Sequence, residues 1–402
     1  MQGVSGLQRH AVQEAERIEQ HWRKLRESYG HAAQCTLAAA QLFIAREHGF
    51  ASWPIFARHV RESNRTDSPV SAFEAAADAI ITGDLPRLRK LLDTHPGLAR
   101  ERSSREHRST LLHYVSANGV EDFRQKTPQN IVAITNLLLD AGADVNATSD
   151  VYGGGCTTLG LVATSIHPER AGVQIQLLRT LLDRGASFVP PGAGAAHQNI
   201  VNACLANGRR NSARFFAELG APLNLEGAAA IDRVDVLRTL FEEEGDQRQP
   251  NQKDVESAFL YACGYGSRAA AEFLLERGVN VNARNDAGQT ALHWASYEPH
   301  PRIIKLLLGR GASVDVKDDR FHATPLDTAL WRWQNSEGER EEARERCYEA
   351  IALLARAGAR LQPDHWKHPG EERSPMLDMI ASDARMEAAL RGESQVFDPG
   401  LA

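Results

Sequence analysis

Aromatic residues make up only 6% of this 402-residue chain, too few for one bulky centre and better suited to thin helical layers. Basic charge is not in excess either: 46 Lys and Arg stand against 52 Asp and Glu, a net charge of -6. A general nucleic-acid binder is usually basic, so that class is disfavoured. No apolar run approaches the ~18 residues of a membrane span. The polar, acid-bearing N-terminus (MQGVSGLQRHAVQEAERIEQ) reads as neither a signal nor a transit peptide. The five cysteines, Cys35, Cys156, Cys204, Cys263 and Cys347, are scattered and odd in number, with no CxxC pair. We read a reduced, cytoplasmic protein with buried thiols. Catalytic signatures are missing too: there is no G-x-S-x-G, no H-E-x-x-H and no EF-hand loop.

What the chain does have is a recurring pair of short helices, with 42% hydrophobic residues to bury. Residues 288–315 read GQTALHWASYEPHPRIIKLLLGRGASVD. Gly288 makes a turn, and Thr290 opens a short helix that buries Leu292 and Ala295. After a break at YEPHP, a second helix puts Ile303, Ile304, Leu307 and Leu308 on one apolar face. Gly311 stops it in the left-handed conformation that glycine adopts most easily. Two helices this short bury too little alone and need a copy on each side.

The copies are present. LLLDAGADVNA, LLDRGASF, FFAELGAPLN, FLLERGVNVNA, LLLGRGASVD and LLARAGARL repeat the helix stop, with glycines at 142, 185, 220, 278, 311 and 358. The interval from Gly278 to Gly311 is 33 residues, and the long interval after Gly220 is divided by a degenerate unit ending at Gly245. The helix start recurs as STLLHYVS, CTTLGLVA, QTALHWAS and ATPLDTAL.

DAGQTALHWAS followed by IIKLLLGRGASVD resembles the ankyrin repeat, with a period of about 33 residues and a T-P-L-H-x-A start. The resemblance covers roughly residues 70–392. It is strongest in 286–318, good in 109–147 and 254–283, and weakest in 225–245, where the threonine start is missing. It implies an all-α ankyrin-repeat solenoid of helix-turn-helix units with short hairpin fingers. Residues 1–66 form a helical N-terminal cap or docking segment, and its AREHGFASWP stretch is similar to the start of many uncharacterised bacterial ankyrin proteins. Within it, Gly49 ends a helix with Phe50 set to pack back on Ile44, Ser52 caps the next helix and Pro54 sits in its first turn. Residues 67–360 hold about eight units, and 361–402 form a C-terminal capping repeat and tail.

The resemblance also implies how such a chain works. An ankyrin stack without a catalytic constellation grips another protein with its fingers and its concave groove. The finger candidates are Asp150, Val151, Tyr152, Arg284, Asn285, Asp286, Lys317, Asp318, Arg320 and Phe321. The first-helix candidates are Tyr114, Trp294, Trp331 and Trp333. Trp331 and Trp333 stand two apart, so one helix cannot turn both inward. The function expected is a non-enzymatic scaffold or adaptor, monomeric, with no cofactor, metal, nucleic acid or membrane partner. The alternative is a sensor of a small ligand or anion. Inserts at 118–130 and 165–173 fall between the two helices of consecutive units, so they should project side by side from the end opposite the fingers. Asn118, Arg124, Gln125, Lys126, His167 and Arg170 would then form a polar, basic rim. A third insert, 332–346, carries a charged, solvated helix surface.

Other motifs read as structure. Gly264-Tyr-Gly266-Ser-Arg-Ala269 matches a dinucleotide fingerprint, but it follows a helix where the fingerprint needs a strand. Tyr152-Gly-Gly-Gly-Cys156 lacks the Lys-Ser/Thr of a phosphate loop and falls on a finger. His113 and His293 occupy the T-P-L-H position, whose histidine bonds the backbone of its own and the neighbouring unit. His365 and His368 have no third ligand close in sequence, so a solvated loop is expected there rather than zinc.

Overall fold

The computed structural model describes residues 37–187, 199–242, 250–336, 341–362, 366 and 374–393. It consists of two compact units, Met1–His197 and Gln198–Ala402. The expected helix at 7–29, His365 and His368 lie outside the described residues.

The first unit opens with the helices Leu37–Glu47 and Trp53–Ser63. Gly49 ends the former in the left-handed region, and the Phe50 amide bonds back to the Ala45 carbonyl at 2.9 Å. The Phe50 ring turns to Phe56, His59 and the Arg105 guanidinium, while Ile44 stays exposed. Ser52 stands at the N-cap of the second helix without a side-chain bond, and Pro54 lies in its first turn. Three helix pairs follow: Pro69–Thr82 with Leu85–Thr94, Leu111–Ser116 with Ile131–Asp140, and Thr158–Thr164 with Gln174–Asp183. The first helices pack in chain order in one row and the second helices in another.

The second unit repeats the plan. Its first helices are Ile200–Ala206, Leu225–Ala230, Gln252–Gly264, Ala291–Tyr297 and Pro325–Gln334, each packed on the next. Their partners are Arg210–Glu218, Val234–Glu242, Arg268–Glu276, Pro301–Gly309 and Glu341–Arg356, and the pair Pro375–Ala381 and Ala384–Leu390 closes the unit. The core runs along the interface between the rows and includes Phe259, Leu274, Leu292, Ile304, Leu307, Leu330 and Ile351.

Local chemistry explains why the pairs form. Six of the second helices end at a glycine with positive φ (142, 185, 220, 278, 311 and 358), after which an amide bonds back into the last turn (Ala312 N to Leu307 O, 3.0 Å). Three of the first helices, those starting at Leu111, Ala291 and Pro325, open on a capping box. Thr290 Oγ1 lies 2.9 Å from His293 Nδ1, and His293 Nε2 reaches the Ala323 carbonyl of the next unit at 3.1 Å. His113 does the same with Thr110 and the Cys156 carbonyl. These imidazoles are structural ties. Burial lowers the His113 pKa to about 4, which keeps the ring neutral. Asp327 takes the histidine's place in the following unit, accepting from Thr324 and from the Trp366 indole. In the degenerate unit Asn224 substitutes for threonine: its side chain accepts from the Gly227 amide, and the helix Leu225–Ala230 forms. The Gly264 motif lies at a helix end, as expected.

Candidate partner-binding surface

In the first unit the groove is filled by the chain itself. The insert after Leu111–Ser116 does not project away from the fingers. It folds back across its own first helix onto the finger 102–110. The physical reason is charge. Arg124 donates to Glu74 Oε2 at 2.7 Å and to Asp78 Oδ1 at 2.6 Å. Arg105 grips Glu74 through both terminal nitrogens, at 2.5 and 3.0 Å. Glu121 Oε1 lies 2.5 Å from Arg105 Nε, off line for a hydrogen bond, and 3.7 Å from His107 Nε2. Tyr114 donates to the same oxygen at 3.2 Å. Burial pushes the Glu121 carboxyl up, but His107, Arg105 and Arg124 outweigh it and hold the pKa at about 2. Glu74 is lowered likewise: its burial is overcome by Arg105 first and Arg124 second.

This corrects two expectations. Tyr114 is 0% exposed and forms the floor beneath the insert, so it offers no face to a partner. Arg124 is 3% exposed and is drawn among carboxylates, so it cannot line a basic rim. Gln125 bonds within its own loop, to Val120 O and Asp122, and Lys126 is exposed. Asn118 bonds Leu161 O and Thr164 in the next unit and accepts from the hydroxyl of Tyr152 at 2.8 Å. The finger residue Tyr152 and the insert residue Asn118 are therefore neighbours. His167 is half-buried and Arg170 exposed on the second insert, and the two inserts meet where Gln129 donates to Ala171 O. A cavity of about 80 Å³ lies elsewhere, lined by Phe73, Glu74, Arg102 and Ser104. It is too small for a drug-sized ligand.

The finger between the strands Thr148–Ser149 and Cys156–Thr157 carries Asp150 and Tyr152 at its exposed tip. Three glycines with positive φ, 153 to 155, complete the turn, which leaves Tyr152-Gly-Gly-Gly-Cys156 a hairpin and not a phosphate loop.

In the second unit the groove is open. Trp331 is 43% exposed and Trp333, two residues on, is 2% exposed, so the pair divides between surface and core. Trp331 stacks on Tyr297, itself half exposed, with ring centroids 5.6 Å apart and planes 14° apart. Trp294 is half-buried. Its indole donates to Gln289, its ring lies 5.2 Å from Tyr261, and its Cε3 would clash at 2.8 Å with a side chain on Gly264. Among the fingers, Arg284 pairs with Asp319 at 2.9 Å and Asp286 with Lys253 at 3.0 Å. Lys317 is exposed, and the Arg320 guanidinium lies over the exposed Phe321 ring. Asp318 is buried, and its carboxylate accepts from the Arg320 and Phe321 amides to shape the turn.

Tyr261, Tyr297 and Glu226 were not expected on this surface. The signal was in the sequence: Tyr261 and Trp294, and again Tyr297 and Trp331, stand about one repeat apart. Residues so spaced occupy equivalent places on successive helices. No group of three or more metal-ligating side chains occurs among the described residues, nor is any described helix long and apolar enough to cross a membrane.

Rows of short helical hairpins stacked in chain order, each with a projecting turn, define a helical-repeat protein. A family profile described as ankyrin repeats, in three copies, matches residues 225–318. Those residues carry ankyrin repeats. Curated relatives include the ankyrin repeat domain-containing protein SAT10 of Stachybotrys chartarum, 24% identical over 52% of this chain and 11% of its own. Another is the DNA replication inhibitor plutonium of Drosophila melanogaster, 36% identical over 23% of this chain and 56% of its own. The chain thus spans about half or less of these relatives. Among solved structures, the ankyrin repeat domain of Bcl-3 is 21% identical, covering 63% of this chain and 92% of that one, with a TM-score of 0.29. Ankyrin repeats are general protein–protein interaction modules.

Proposed function

We propose that this chain is a non-enzymatic binding module that holds a partner protein against the fingers and groove of its second unit. The stacked, exposed Tyr297–Trp331 pair carries the reading. Large aromatic faces left open on a rigid row of helices are typical anchors of an interface. Phe321, Arg320 and Lys317 flank them on the fingers, and Trp294 extends the same face. In the first unit Asp150 and Tyr152 offer a smaller second contact. The reading includes a cytoplasmic, monomeric protein with no nucleic-acid or membrane partner. The rim alternative loses its central cation to the Glu74–Asp78–Glu121 cluster and is not carried further.

The test is affinity capture read by mass spectrometry, comparing the wild type with Tyr297→Ala/Trp331→Ala and with Tyr152→Ala. Proteins retained by the wild type and by Tyr152→Ala, and lost with the double variant, support the groove. Retention of the same proteins by the double variant, or of none by the wild type, removes the proposal.

A further inference from the structure

Glu226 sits at the start of the helix Leu225–Ala230, half-buried, on the row of first helices. Its Oε1 accepts from the Ser257 hydroxyl and keeps an open lone pair, while its Oε2 is held only by two long contacts, from Asn202 at 3.4 Å and Asn224 at 3.5 Å. Among the described residues no Lys, Arg or His nitrogen lies within ion-pairing distance of it. Glu74 and Glu121, by contrast, each hold two arginines. Tyr261 stands one helical turn after Ser257 on the helix Gln252–Gly264, on the side that meets Glu226, and burial first and the Glu226 charge second push its phenol up. The ring leads on to Trp294 at 5.2 Å. One repeat further along, Tyr297 and Trp331 continue the aromatic surface.

We propose that this stretch receives an extended partner segment bearing a cationic side chain, best matched by arginine, seated between the Glu226 carboxylate and the Tyr261 ring, with apolar neighbours on Trp294, Tyr297 and Trp331. This deepens the function proposed above and rests on it. Arginine suits the place because its flat guanidinium stacks on an aromatic face while its fork meets both oxygens of a carboxylate. The net charge of -6 steers a basic segment towards the chain as a whole. The seat is at Tyr261 and not at Tyr265, whose hydroxyl already donates to the Leu205 carbonyl.

The experiment is selection of a phage-displayed random nonapeptide library on the immobilised full-length protein, followed by titration of the enriched peptides. The wild type is expected to enrich one fixed arginine or lysine with apolar neighbours. Replacing that arginine by citrulline, its neutral isostere, should weaken binding about tenfold on the wild type and less than twofold on Glu226→Gln. Tyr261→Leu, which keeps apolar volume without the ring, serves as the second variant, and circular dichroism checks that both fold. Enrichment without a basic position, or equal citrulline penalties on wild type and Glu226→Gln, overturns the cation seat. Loss of those same peptides with Trp331→Ala would still leave the groove reading standing. No enrichment at all on the wild type would overturn both.

Discussion

The Arg124 guanidinium lies 2.7 Å from the Glu74 carboxylate, across 50 residues of chain, and both side chains are nearly out of reach of water. The same guanidinium holds Asp78 and faces Glu121, so one side chain ties an insert to the preceding helix pair. Arg124→Ala would leave Glu74 and Glu121 short of a cation inside the protein. The expected cost is about 3–5 kcal/mol, read by urea denaturation. A loss below about 1 kcal/mol would show that the carboxylates reach solvent once the arginine is gone.

The same cluster sets an acid limit. Glu74 and Glu121 have folded pKa values below the ordinary carboxylate value of 4.5, Glu121 down to about 2. The unfolded chain therefore binds protons first as pH falls. Stability from these groups is complete above about pH 4.5 and is lost as pH falls towards 2. Following the midpoint of denaturation between pH 6 and pH 2 should show this slope in the wild type and a shallower one in Glu121→Gln.

Histidine titration adds a second window, at milder pH. His300 donates from Nε2 to the Gly264 carbonyl, 3.0 Å away, and burial lowers its pKa to about 4. A lowered histidine favours the folded state above its ordinary pKa of 6.5, and that contribution fades as pH falls from 6.5 to 4. It amounts to roughly 3 kcal/mol. His300→Gln should make stability fall less steeply with pH in that interval, with the share of the similarly lowered His113 and the loss below pH 4 left in place.

Leu307 is fully buried between the two rows of helices of the second unit. Because each hairpin leans mainly on its neighbours, Leu307→Asp should open a local segment before the whole chain unfolds. Hydrogen exchange should accelerate in residues 286–334 and stay slow in 69–183. Uniform acceleration along the chain would show that the array melts only as a block.

The two tryptophans of one helix make a paired control. Trp333→Ala removes a core side chain and should cost about 3–5 kcal/mol. Trp331→Ala removes an exposed one and should change stability by less than about 1 kcal/mol while weakening partner capture. Thermal melts of the two variants side by side would decide it.

The repeating architecture was legible because its signals are local. A threonine start, an apolar face and a glycine stop are each set by a few adjacent residues; the stops at 142, 185, 220, 278, 311 and 358 all take positive φ, and Gly245 lies outside the described residues. The split between Trp331 and Trp333 followed from helix periodicity alone. The path of the insert at 118–130 was not legible. It depends on Arg124 meeting Glu74 and Asp78 nearly fifty residues upstream, and charge pairing at that separation leaves no periodic trace. Tyr114 was misplaced for the same reason: its position faces the groove, but the insert covers it. Glu226 was not legible either, because its partners Asn202 and Ser257 lie on the neighbouring helices, 24 and 31 residues away, and a lone carboxylate leaves no periodic signal.

The imidazole of His293 closes on the Ala323 carbonyl, and that of His113 on the Cys156 carbonyl, each beyond the finger that follows. The joints of this chain therefore do not coincide with its repeats. Anyone exchanging, deleting or duplicating a repeat should cut downstream of the next hairpin tip, since a cut at the glycine stop would strand a ring nitrogen in an apolar setting. The same rule would restrict recombination within the gene, favouring splices that carry one repeat together with the opening residues of its successor.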